Sequence, residues 1–376
     1  MLKTRIAVGL SVLLCASLFV LPVAASVSGP CSNCHTMHNS QSGSAVAEVW
    51  DSTTHASVSA GPQQTLLKND CVGCHASTGS ATITSDGTPI VYNTQDPTNP
   101  LAGGNFYWVE HDGGDAYGHN VLGISAEDAT LEYAPGPVSA PGSGPCDHCH
   151  ASLATDPSTE GYDFEGGCQG CHVPKHHADD SATVVGETGG FFRFLGLNAY
   201  KVTTSADPHS GVIGIEDPNW EQNPSSGHNV YQGTENVYAR SIGSFIQYNS
   251  VGSFCAGCHG QFHHIMNEGQ NGDMFNEGDV SGAWLRHPSD VLVPDAGEYA
   301  GLSTYNVIAP VARVSVVDGD ANFTTINHDR DVVTCLSCHR AHGSPYPDML
   351  RWDYNSCSST GGEGPCGCYV CHTTKD

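Results

Sequence analysis

Two cysteines three positions apart, with a histidine directly after the second, make the first unit of chemistry in this chain: Cys31-Ser32-Asn33-Cys34-His35. Both thiols sit on one short turn and can reach the two vinyl groups of a single porphyrin. The histidine then falls beneath the iron as its proximal ligand. The unit recurs with Cys71, Cys74 and His75; Cys146, Cys149 and His150; Cys168, Cys171 and His172; Cys255, Cys258 and His259; Cys335, Cys338 and His339; and Cys368, Cys371 and His372. Seven units use 14 of the 17 cysteines, which leads to an expectation of seven covalently attached c-type haems. Zinc or a thioredoxin-like dithiol would explain the cysteine pairs but not the histidine after every pair. With 21 histidines in 376 residues, chance placement of all seven has a probability on the order of 10⁻⁹.

Each iron needs a sixth ligand. Subtracting the seven proximal histidines leaves 14, whereas methionine is scarce, at 5 in the whole chain. Bis-histidine ligation is therefore the economical reading. It makes low-spin, low-potential haems suited to electron transfer, whereas axial methionine raises the potential. The distal candidates are His38, His119, His177, His209, His228, His263, His287 and His342, eight for seven places, with His176 able to replace His177. His38, His177, His263 and His342 each closely follow a proximal histidine. A residue three or four positions on leaves the same side of a turn and cannot pass round the porphyrin to the other face of that iron. Each such histidine must serve a different haem, which ties one haem to the next. His148 has poor direction between its cysteines, and His55, His111, His264 and His328 read as surface histidines.

The elements that must position these groups are small. Met1-Leu2-Lys3-Thr4-Arg5, an apolar run from Ile6 to about Val23, and Ala24-Ala25-Ser26 make residues 1–25 a signal peptide. Residues 26–376 are then a single heptahaem c-type cytochrome domain. No second apolar run approaches the roughly 18 residues needed to span a membrane. About 50 residues per haem is too few for seven separate cores, since one ordinary core takes about 100–150. The haems must share walls. Gly 44 and Pro 21 against 14% charged residues point to loops wrapped over cofactors. The expected fold is mostly irregular coil, a haem-cored domain with short helices at the attachment sites and a few short strands. Loose alternation from Val291 to Val317 suggests one strand pair.

Lys+Arg 13 against Asp+Glu 39 gives a net charge of −26, which makes nucleic acid and anionic membrane surfaces poor partners. Other redox proteins and extracellular metal acceptors suit it better. Cys357 and Cys366 remain. In an exported chain a disulfide is the natural reading, with mispaired attachment through Cys366-Gly367-Cys368 as the alternative.

Several stretches carry a resemblance. Cys31–Gln41 (CSNCHTMHNSQ), Gly118-His119-Asn120, Leu285-Arg286-His287-Pro288, Cys335–His342 (CLSCHRAH) and the short tail from Cys371 to Asp376 resemble the OmcS-type extracellular multihaem cytochromes, which polymerise into conductive filaments. That family carries six haems, and here sites three and four stand where one is expected. The resemblance implies a secreted homopolymer in which His38 ligates a haem of the next subunit. Two other functions fit the motifs. One is a soluble periplasmic or cell-surface shuttle. The other is a multihaem oxyanion reductase, against which the surplus of histidines and the absence of a C-x-x-C-K variant both argue.

Overall fold

The computed structural model describes residues 29–63, 65–111, 114–131, 152–154, 166–175, 178, 181–196, 211–223, 227–235, 249–255, 258–259, 287, 289–358 and 366–374. The expected signal peptide, the third attachment site (Cys146, Cys149, His150) and the candidates His177, His209 and His263 lie outside the described residues.

The elements are as short as the composition implies. In chain order they are α1 (Cys31–Cys34), β1 (Ser40–Gln41), β2 (Ser44–Ala45), β3 (Glu48–Asp51), β4 (Ala56–Ser59), α2 (Cys71–His75), β5 (Ala76–Ser77), β6 (Tyr92–Asn93) and α3 (Tyr107–His111). They continue with β7 (Gly214–Ile215), β8 (Val230–Tyr231), α4 (Val251–Cys255), β9 (Val291–Leu292), β10 (Ala312–Arg313), β11 (Asp331–Val333), α5 (Cys335–Cys338) and α6 (Cys368–Cys371). Five of the six described attachment sites form or end one of these helices. At the fourth, Gly167–Gly170 is a single 3-10 turn. One helical turn is marginal by itself, so each is held by its surroundings. Asp70 caps α2 by accepting from the Gly73 amide at 2.7 Å, and its other oxygen accepts from Trp50 N at 3.1 Å.

The strands form small sheets. β3 and β4 pair as an antiparallel hairpin whose connection is tied by Asp51 Oδ1, the acceptor for the amides of Thr53 and Thr54 at 2.9 Å each. Two strands do fall within 291–317, but they do not pair with each other. β9 and β10 flank β11 in the order β10-β11-β9, with Ala312 opposite Val332 and Val332 opposite Leu292. Val332 has no exposed surface, so burying β11 centrally gains more than joining its two neighbours edge to edge.

Among the described residues, apolar packing is divided into four small clusters rather than one core. Val72, Tyr92, Phe106, Val109, Val121 and Ile124 form the first, with Cys168 at its edge. The second gathers Phe192, Val212, Tyr231, Val251, Ala312 and Val332 around Cys255. A third packs Val293, Leu302, Val311 and Ile326 against Cys371. Trp352, Ala309 and Cys366 make the fourth, beside Cys338 and Cys368. Every cluster therefore ends at an attachment cysteine, where a porphyrin would continue the apolar surface.

Candidate haem-binding sites

The attachment turns share one backbone bond. The amide of the histidine donates to the carbonyl of the first cysteine at 2.7 Å for His35, 2.9 Å for His172, 3.0 Å for His259, 3.0 Å for His339 and 2.9 Å for His372. Closing the turn in this way brings both sulfurs and the imidazole to one side of the chain, the arrangement that two vinyl groups and an axial ligand require.

Four imidazoles are then steered by a backbone carbonyl accepting from Nδ1. The acceptors are Pro89 for His75 at 2.8 Å, Arg193 for His172 at 2.9 Å, Asp348 for His339 at 2.7 Å and Ala341 for His119 at 2.7 Å. The Glu298 carboxylate lies 3.1 Å from Nδ1 of His372. Keeping the proton on Nδ1 leaves Nε2 bare, as metal ligation needs. Burial also favours the neutral form of four rings at these sites. It lowers the pKa of His119, His172 and His339 and, with His172 close by, pushes His342 down to about 3.

Imidazoles meet in three pairs that join a proximal to a distal candidate. Ring centroids lie 5.9 Å apart for His172 and His342, 6.1 Å for His119 and His259, and 6.2 Å for His287 and His372. Two axial imidazoles on one metal, each with nitrogen about 2 Å from the ion and ring centre about 1 Å beyond, stand about 6 Å apart. The residues fit bis-histidine haem. His342 is braced for this position by Phe106, stacked on it at 4.9 Å, and by its own amide donating to Gly103 O at 2.8 Å. Gly104, at φ +87°, must remain glycine there, because a Cβ would overlap the Gly343 carbonyl.

The remaining described candidates are placed differently. His38 is exposed, with φ +52°, beside Met37, which is 68% exposed. His228 is buried against Tyr305 at 3.7 Å, with Nδ1 2.8 Å from Asn229 O and Nε2 2.7 Å from Phe323 O. Both of its nitrogens face carbonyls, so neither is open to an iron. Of the two histidines read from the sequence as surface residues, His111 is exposed, whereas His55 is half-buried, and both lie against Glu110. No signal in the sequence marks that grouping, because it forms only when β3 and β4 fold onto α3.

Neighbouring sites touch. Burial and then the nearby Cys34 push the Cys74 thiol up to about 11, and Cys168 is close enough to lower the pKa of Cys71. Burial and the adjacent Cys368 push Cys338 up to about 12. The pair of His172 with His342 links site four to the segment after site six. Cys357 and Cys366 are joined as a disulfide, beside the sulfur of Cys368.

Repeated attachment turns, carbonyl-steered imidazoles and closely spaced histidine pairs define a multihaem c-type cytochrome, an electron-transfer protein. Residues 328–376 match the family described as a doubled CXXCH motif. The chain is similar to C-type cytochrome OmcS of Geobacter sulfurreducens, with 26% identity over 397 residues that cover 94% of this chain and 86% of that one. Among solved structures it is similar to the Outer Membrane Cytochrome S filament from Geobacter sulfurreducens, with TM-score 0.48, 17% identity, and coverage of 88% and 85%. It is likewise similar to the OmcS nanowires of that organism, with TM-score 0.48, 19% identity, and coverage of 87% and 84%. Among the described residues no helix is long and apolar enough to cross a membrane.

Proposed function

We propose that the chain carries electrons along a continuous row of seven bis-histidine c-type haems, as a secreted subunit of an extracellular filament. The observation that carries this reading is the His172–His342 pair, because it binds two attachment sites to one shared iron position. When bound, haem supplies a one-electron couple at each site. The chain's own residues set the spacing, ligand tautomer and dielectric around it.

The assignment of ligands follows by elimination. His342 serves the fourth site, His119 the fifth and His287 the seventh. With His228 engaged by two carbonyls, His38, His177, His209 and His263 remain for the first, second, third and sixth sites. The contacts of Cys34 with Cys74, Cys71 with Cys168, His172 with His342 and Cys338 with Cys368 support an unbroken path through sites one, two, four, six and seven.

His38 is the ligand for assembly. It follows its own proximal histidine by three residues, is exposed, and makes no hydrogen bond or ring contact among the described residues. His75 and His339, in turn, stand in ring contact with no second imidazole among the described residues. A neighbouring subunit's His38 would complete such an iron. The likeness to C-type cytochrome OmcS, whose solved structures are of a filament and of nanowires, supports this reading. The ferric absorption and EPR spectra of intact assembled protein test the proposal. They should show seven low-spin haems, and a substantial high-spin fraction would overturn bis-histidine ligation and favour a reductase.

A further inference from the structure

A second backbone contact accompanies three of the proximal histidines. The amide of the next residue donates to a carbonyl elsewhere in the chain: Thr36 to Leu66, Val173 to Phe194 and Arg340 to Met349, each at 2.8 Å. All three acceptors are left-handed, with φ +57°, +56° and +58°. They are large apolar residues, a class seldom found in that region. Each is followed by leucine, at Leu67, Leu195 and Leu350, and Leu67 and Leu350 bridge back to His35 and His339 themselves.

At the fourth and sixth sites the residue before the left-handed one is left-handed too. Arg193 has φ +51° and Asp348 φ +61°, and these are the residues whose carbonyls take the Nδ1 protons of His172 and His339. Two consecutive carbonyls thus grip consecutive groups, the imidazole and the amide that follows it. Extended or right-handed backbone would turn successive carbonyls to other directions, so the grip depends on the left-handed pair. Packing does not explain the conformation at Asp348, whose side chain is exposed.

We propose that these turns are clamps, in which Arg193–Phe194 and Asp348–Met349 act as positioning residues for the proximal ligands. Leu66 plays the amide-holding part at the first site. The clamp fixes the proton on Nδ1 and makes the ring a stronger donor, which favours the ferric state and lowers that haem's potential. This rests on His172 and His339 being proximal ligands.

Holoprotein variants at Asp348 test the clamp, because β-branched side chains resist the left-handed region while Gly and Asn accept it. Asp348→Asn and Asp348→Gly should keep wild-type midpoint potentials and EPR g-values. Asp348→Val should shift the midpoint of one haem of the seven to more positive potential and change its g-values, with all haems still attached by mass. Met349→Val and Met349→Gly should divide in the same way, which covers the case in which one variant fails to fold. Equal shifts from Asn and Val would trace the effect to charge, and no shift from either Val variant would remove the clamp; both overturn the proposal. A wild-type mass lacking the haem at Cys335 and Cys338 would instead refute the ligand assignment on which it rests.

Discussion

His342 faces His172 with ring centroids 5.9 Å apart, although one follows the sixth attachment site and the other belongs to the fourth. A histidine three residues beyond a proximal ligand thus turns away from its own porphyrin, as the geometry of a single turn requires. Replacing His342 with Ala should leave seven haems attached and convert one to high spin. Added imidazole should restore the low-spin spectrum. An unchanged ferric spectrum in His342→Ala would mean that another group holds that position.

Assembly should depend on His38. We expect His38→Ala to leave haem content unchanged and to abolish or shorten filaments in electron micrographs, with one haem per subunit turning high-spin. Normal filaments together with a wild-type spectrum would exclude a ligand shared between subunits.

The disulfide between Cys357 and Cys366 closes a loop with a sequence separation of 9. Chain-entropy arithmetic for so short a loop gives about 2–3 kcal/mol. The Cys357→Ser, Cys366→Ser double variant should be less stable by that margin in denaturant titrations and unfold at a lower temperature. Cys357→Ser alone should do more harm, because it frees the Cys366 thiol next to Cys368. Mass spectrometry would then show misattached haem at the seventh site, whereas the wild type should show no free thiol.

Arg313 is buried between Asp320 and Asp331, pairing with the first and lying 3.1 Å from the second, while Arg330 reaches Asp320 at 2.8 Å. Asp331 has no exposed side chain, and burial raises its pKa. Asp320 is desolvated too, but its bonds to Arg330 and Arg313 hold it below the usual carboxylate value. Arg313→Met should cost about 3–5 kcal/mol at neutral pH, because it strands buried charge. Without the arginine, Asp331 rises further above its unfolded value, while Asp320 keeps Arg330. The deficit from Asp331 is then present above that raised value and shrinks as pH falls through it. Denaturant titrations of the variant at pH 7 and pH 4 should show this convergence with wild type; a gap that stays constant would refute it.

Much of the chemistry was legible from residue spacing alone, because a thioether-linked haem demands two thiols and a histidine at fixed separation. The Cys357–Cys366 bond was legible from compartment and leftover count. Turn geometry also directs His342 away from its own motif, and its ring lies beside that of His172. What escaped were contacts made by backbone. The carbonyls of Arg193 and Asp348 are set by φ, which no residue type announces when the left-handed residues are Arg, Phe, Asp and Met rather than glycine. His228 looked like a ligand because its Gly-His-Asn setting repeats that of His119, yet Tyr305 and Phe323 close around it. The partner of β9 and β10 was missed because two-residue strands carry too little alternation to reveal which third segment joins them.

The division of the interior into four clusters, each ending at an attachment cysteine, has a consequence for how the cell handles this chain. A polypeptide that misses one attachment does not lose a ligand from an otherwise finished protein. It leaves one cluster without its outer wall, exposing residues such as Phe106 and Val109, or Val332 and Tyr231, to water. Local opening there is then cheap, and proteases act on segments that open. Completeness of haem loading would then decide how well the folded chain resists proteolysis.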